Sequence, residues 1–193
     1  LDIVLSLNVT GYLHRLQLFR QVLSRRNATL KEDGSDALVR AWNEQLVRAG
    51  AEVMVARSRW IEGRCASFGR YYAAVSGGTT ARMEYRPDVA LEGATGVEEV
   101  ADAYREALAA SAETERRMRT TMAGPQRDEM VLSLEGEEGD LDVRDFGSGG
   151  QRRTAALALR LVEAETIREA RGREPLVLMD DVFAELDADR SER

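Results

Sequence analysis

The sequence predicts an α/β fold, part of a nucleotide-binding head joined to a long helical arm, and three observations carry that expectation. A glycine loop, Gly147 to Gly150, opens an apolar helix. An uninterrupted apolar run, Leu176-Val177-Leu178-Met179, stops at Asp180-Asp181. From Leu38 to Trp60 the apolar residues recur at spacings of four and three, the pattern of a coiled-coil seam. Continued to Val75, that helix is roughly 60 Å long at about 1.5 Å per residue, too long for an ordinary globular helix, and it is expected to project as an arm.

The elements follow in order. Leu1 to Leu7 alternates apolar residues with Asp2 and Ser6, so residues 1–10 are predicted as a strand segment of the head. Residues 11–123 are assigned to the helical arm or lobe. Within it, Gly11 opens an amphipathic helix that reaches Lys31, and Glu32-Asp33-Gly34 breaks it. Ser35 is the expected N-cap of the long helix, which ends at Gly77-Gly78. A strand is predicted from Thr79 to Tyr85, then a loop, then a second long helix from Val97 to Met122 whose middle is weakened by Ser111 and Glu115. The two long helices suggest an antiparallel pair. Residues 124–193 form the remaining part of the head: short strands at Met130–Leu134 and Leu141–Val143, a helix from about Gln151 to Gly172, and a buried strand at Leu176–Met179. Glycine loop, helix, buried strand and acidic end together are the order of an α/β nucleotide-binding half-domain.

Composition narrows the class further. The net charge of −7 argues against a general polyanion binder without excluding a local basic face. Of the 27 basic residues only Lys31 is a lysine, and His14 is the only histidine. One cysteine, Cys65, permits no internal disulfide; in a helical pattern it is expected to be a small buried side chain, and the count fits a reducing, cytoplasmic setting. No apolar run approaches a membrane span, and no secretory leader is recognised, the first residue looking like a cut.

Two places carry chemistry. A carboxylate at the C-terminal end of a buried strand is held rigidly where ligands gather. Asp180 could hold Mg²⁺ and Asp181 could orient and deprotonate a hydrolytic water; alternatively, the strand ends in a turn whose aspartate caps the next helix. In Phe146-Gly147-Ser148-Gly149-Gly150-Gln151-Arg152-Arg153 the free N–H groups of a helix start attract an anion, and the Ser148 hydroxyl can donate to a phosphate oxygen. The alternative there is a flexible turn capped by Ser148.

Ser148-Gly149-Gly150-Gln151 resembles the ABC signature motif, Asp180-Asp181 a Walker B ending, and Ala184-Glu185-Leu186-Asp187 the D-loop that follows it, all in that family's order. The resemblance narrows to the RecF family through Tyr12-Leu13, through Arg26-Asn27-Ala28-Thr29-Leu30-Lys31, similar to an Arg-Asn-x-Leu-Leu-Lys pattern, and through Gly124-Pro125-Gln126-Arg127-Asp128, similar to Gly-Pro-His-Arg-Asp with Gln126 in place of histidine. The likeness covers most of the chain, by motif at both ends and only by helical pattern between about Ser35 and Met122.

What the resemblance implies is an ABC-type ATPase head with a coiled-coil-like arm, in a DNA replication and repair protein. It would use ATP and Mg²⁺, form an ATP-dependent homodimer that clamps duplex DNA or a gapped junction, and work with RecO- and RecR-type mediators, away from any membrane. Asp181 would be catalytic, Asp180 the metal ligand, Ser148, Gly149, Gly150 and Gln151 the nucleotide contacts made in trans, and Asp187 the D-loop residue. Arg25, Arg26, Arg152 and Arg153 would be candidate DNA contacts, or simply solvated and salt-bridged helix faces. A Walker A lysine loop and a switch histidine are not found, since Lys31 and His14 lack the context, so the chain by itself is expected to be inactive. A transporter-type ATP-binding subunit and a non-catalytic interaction module of the chromosome-structuring kind are the alternatives.

Overall fold

Short polar signals set most element boundaries. The computed structural model describes residues 1–32, 34–136 and 139–178. The elements are α1 (Asp2–Asn8), α2 (Tyr12–Lys31), α3 (Asp36–Ser76), β1 (Ala81–Arg86), α4 (Val97–Met118), β2 (Glu129–Leu134), β3 (Leu141–Asp142) and α5 (Gly149–Arg171). The Ser35 hydroxyl accepts from the Leu38 N–H at 3.3 Å at the start of α3, as an N-cap does. At the far end, Gly77 and Gly78 both donate to the Ala73 carbonyl with positive φ, a glycine stop. The Glu99 carboxylate accepts from the Thr95 and Gly96 N–H groups, each at 3.1 Å, and so seals the start of α4.

The chain divides into two units. One comprises Leu1–Arg59 and Arg86–Glu129; the other takes Trp60–Tyr85 and the chain from Met130 onward. In the first, α2 buries Tyr12, Leu16, Phe19 and Val22, α3 buries Leu46, Val47 and Val53, and α4 buries Val100, Tyr104 and Leu108. The ion pairs Asp36–Arg116 and Glu44–Arg105 join α3 to α4 in opposite sequence order, so the expected antiparallel pairing is present here. The helices come close at Gly50, where an added Cβ would lie 2.6 Å from the Tyr104 ring.

In the second unit a three-stranded sheet has the order β1-β2-β3. β2 and β3 are antiparallel, with Ser133 opposite Asp142 and Leu134 opposite Leu141. α5 buries Ala155, Ala158 and Val162, and the second part of α3 buries Trp60, Ile61, Phe68 and Tyr72. Arg64 pairs with Glu169 and Arg70 with Glu165, tying that part of α3 to α5.

Three expectations are corrected here. Residues 2–8 form the helix α1, not a strand; among the described residues they pair with no strand, and Asp2 sits at the positive end of the helix dipole. α3 buries residues from Val39 to Tyr72, including Val53, Met54 and Val55 in succession, so it supplies core within both units. Cys65 is exposed, its thiol donating to the Glu62 carbonyl at 3.3 Å. Leu176 to Leu178 form no strand, and Leu176 and Leu178 are 86% and 87% exposed, because a parallel strand exists only against neighbours and no described strand pairs with them.

One ionic group organises the first unit. Arg26, 2% exposed, donates from Nε to Asn43 at 2.9 Å, from one terminal nitrogen to the Thr121 hydroxyl at 2.8 Å and from the other to Glu115 at 2.6 Å. The second Glu115 oxygen accepts the Met122 N–H at 2.8 Å, and Asn27 accepts both the N–H and the hydroxyl of Thr121. Glu115 therefore does not weaken α4; it fastens the chain leaving α4 to α2. Removing one member strands a buried charge, which typically costs about 3–5 kcal/mol, whereas removing both together costs far less. Urea unfolding of Arg26→Met and Glu115→Met should show losses of that size for each and a much smaller loss for the double variant. Additive losses would show that the two side chains do not act as a pair.

Candidate functional site

The exposed start of α5 is built by a rigid turn. After β3, the Phe146 N–H donates to the Asp142 carbonyl at 3.0 Å and the Gly147 N–H to the Val143 carbonyl at 3.2 Å. A Cβ on Gly147 would lie 2.4 Å from that Val143 oxygen, so only glycine fits. Ser148 is the N-cap: its hydroxyl oxygen accepts the Gln151 N–H at 3.2 Å, and the Gln151 side-chain oxygen accepts the Ser148 N–H at 2.7 Å, a reciprocal capping box.

That box decides which groups remain available. The Arg152 N–H donates to the Ser148 carbonyl at 3.0 Å, which leaves the N–H groups of Gly149 and Gly150 without a partner among the described residues. The Ser148 oxygen accepts one bond and keeps its own hydrogen to donate. Nothing lies within 4 Å of a Cβ placed on Gly149, so a ligand can approach the backbone. The first turn carries no acidic residue, while Arg152 and Arg153 are exposed beside it. A helix N-terminus favours negative charge, and here the neighbouring side chains add to its positive field, so the site suits a phosphate.

The Gly124-Pro125-Gln126-Arg127-Asp128 segment lies in the first unit and is held by a second arginine. Arg57 donates to the Pro125 carbonyl at 2.6 Å, to Asp128 at 3.1 Å and to Asp2 at 3.1 Å. The Tyr12 hydroxyl donates to Asp2 at 2.6 Å. Asp128 accepts the Asp88 N–H at 3.0 Å, and Asp88 in turn accepts from the Gly124 N–H and the Arg127 guanidinium, each at 3.1 Å. Gly124 has φ 123°, and a Cβ there would lie 2.1 Å from the Tyr104 hydroxyl oxygen, so both conformation and space require glycine. Burial alone would raise the Asp2 carboxyl, but the Tyr12 hydrogen bond and the Arg57 charge outweigh it and hold it below its ordinary value. Burial and the bond to Asp2 push the Tyr12 hydroxyl up.

No protein-family model matches the chain. Among curated proteins, it is 37% identical over 197 residues to the DNA replication and repair protein RecF of Synechococcus sp. (strain JA-3-3Ab), covering 98% of this chain and 51% of that protein. It is 38% identical over 188 residues to RecF of Gloeobacter violaceus, covering 94% of this chain and 49% of that protein. A solved structure of the recombination mediator protein RecF-ATP in the RecFOR pathway superposes with a TM-score of 0.86 at 27% identity, covering 99% of this chain and 51% of that one. The chain belongs to the RecF family. It spans about half the length of the curated relatives it matches. The α/β ATPase-head class with a long helix is likewise the class of those RecF structures.

Within this chain the expected site residues divide. Ser148, Gly149, Gly150 and Gln151 come together at the start of α5. Asp180, Asp181 and Asp187 lie outside the described residues. Arg26 is not available to DNA, being buried against Glu115. Arg25 is exposed, its guanidinium 5.7 Å from the centre of the Trp42 ring, and Arg152 and Arg153 are exposed on α5. No described helix is long and apolar enough to cross a membrane. Sequence reasoning missed Arg57, Asp2, Tyr12 and Asp88 as a connected group. The available signal was Arg57 between Val53 and Trp60 at spacings of four and three, which places a cation on the buried face of α3.

The lowered Asp2 carboxyl gives a pH dependence. Its contribution is fully present above the ordinary aspartate value near 4 and is lost as pH falls through the lower folded value, where the folded state takes up the proton. The stability advantage of the wild type over Asp2→Asn, followed by urea unfolding, should therefore hold from about pH 7 to 5 and shrink toward pH 3. A gap independent of pH would contradict the Asp2–Arg57 pairing.

Proposed function

We propose that the complete protein is an ATP-driven DNA-repair ATPase in which two copies close around nucleotide and hold DNA. The observation that carries this is the exposed start of α5, where, among the described residues, the Ser148 hydroxyl hydrogen and the Gly149 and Gly150 N–H groups have no partner and Arg152 and Arg153 lie beside them. The names of the RecF relatives and the ATP-bound RecF structure support it.

In this reading each part of the chain has one task. Ser148, Gly149 and Gly150 donate to the terminal phosphate held by the other copy, stabilising charge that builds up as the phosphoryl group leaves. Gln151 keeps the serine hydroxyl oriented through the capping box. By the same resemblance Asp181 would take the proton of the attacking water, Asp180 would hold Mg²⁺, and Asp187 would serve as the D-loop residue. ATP supplies the phosphoryl group whose transfer to water resets the dimer. Arg152, Arg153 and Arg25 are the candidate contacts to duplex or gapped DNA, and RecO- and RecR-type mediators are the expected protein partners.

The trans arrangement is testable by mixing. In the complete protein Ser148→Arg alone and Asp181→Asn alone should each be inactive, Asp181→Asn through loss of roughly 10²–10⁴-fold in turnover. Mixed equally, half of the random dimers are mixed and each has one intact site, so about a quarter of wild-type ATPase activity should return if the symmetric sites act independently. A flat background rate at every mixing ratio would place Ser148 and Asp181 of one and the same copy in a single site and refute the trans clamp.

A further inference from the structure

We infer that Phe146 is the aromatic anchor through which the signature turn seats on the second copy. Phe146 is 76% exposed, whereas Phe19 and Phe68 are 2% and 0% exposed. Hiding such a side chain from water is worth about 1.5–3 kcal/mol, so its exposure beside a structured turn points to a surface completed by something else. The turn that carries the ring has a fixed backbone. Both ends of it are hydrogen-bonded at Phe146 and Gly147, the Gly147 backbone is wedged against the Val143 oxygen, and the capping box fixes the next residue.

The inference rests on the trans reading of Ser148 given above and adds a partner surface to it. Phe146 stands two residues before Ser148, so its Cα lies within about 7 Å of that of the serine. A group that meets phosphate on the second copy brings Phe146 to the same surface. Rigid aromatic side chains placed in this way lose little freedom on docking and dominate interface energetics. Association then couples to nucleotide through one covalent unit: the phosphate contact orients the turn, and the ring supplies the apolar contact.

The test uses the complete protein with Mg-ATP, measuring dimer formation against protein concentration by light scattering for wild type, Phe146→Ala, Phe146→Leu and Ser148→Arg. The inference predicts that Phe146→Ala weakens ATP-dependent dimerisation about tenfold to hundredfold, that Phe146→Leu restores much of it, and that ATP binding to the isolated copy and the thermal midpoint stay at wild-type values. Wild-type dimerisation by Phe146→Ala, with Ser148→Arg impaired, would overturn the anchor and leave the trans reading intact. A lowered thermal midpoint would also overturn it, showing the ring buried within its own copy, as would an altered preference for ATP over GTP with dimerisation unchanged, showing the ring stacked on the base. Failure of wild type to dimerise with ATP, or normal dimerisation by Ser148→Arg, would refute the trans reading and the anchor with it.

Discussion

A guanidinium cannot remain in an apolar core unless its donors are met, and the first unit is arranged around meeting two of them. Arg26 and Arg57 between them engage α1, α2, α3, the exit from α4 and the chain through Asp128. Burying one charge without its counter-charge would cost several kcal/mol, so each arginine admits few alternative placements of its partners. The connection after α4, residues 119–128, has no regular secondary structure apart from turns, yet its backbone is fixed by side-chain acceptors: Asn27 and Glu115 for Thr121 and Met122, and Asp88 for Gly124.

This gives the two RecF-like segments of the helical unit a physical meaning. Arg26-Asn27 and Gly124 to Asp128 act as fasteners, with Asn27 reaching Thr121 and Asp128 reaching Arg57. Gln126 donates to the Ala123 carbonyl at 3.0 Å, so the role seen for that side chain among the described residues is local and needs no titrating ring. The start of α5 is organised in the opposite way: its hydrogen bonds are spent on holding a shape, and its remaining donors face outward. Buried charges build the frame, while outward-facing donors at α5 are the part open to a ligand.

Much of this was legible in the sequence where the signal is local. Ser35, Gly77-Gly78, Ser148 and Gly172 mark helix ends by cap chemistry, and α2, α4 and α5 follow from period and cap together. Signals that depend on distant partners were not legible. The alternation in residues 1–7 suits a strand as well as a short helix, and only the meeting of Asp2 with Tyr12 and Arg57 favours α1. Arg26 beside Arg25 looks like a basic surface pair, because nothing local announces Glu115, 89 residues away. The run ending at Leu178 has the composition of a buried strand, but composition cannot supply the neighbours a strand requires.

The central claim is that the side-chain acceptors Asn27, Glu115 and Asp88 lock the connection from Thr121 to Gly124 as firmly as the helices around it. Native-state hydrogen exchange of the Thr121, Met122 and Gly124 amides tests it most directly. The account predicts exchange as slow as that of the buried turns of α2, with the same dependence on denaturant, because these amides open only when the unit unfolds. Rapid, denaturant-independent exchange, like that expected of the exposed residues Glu92 and Gly93, would show that the arginine-centred contacts do not hold the connection in solution and would contradict the account.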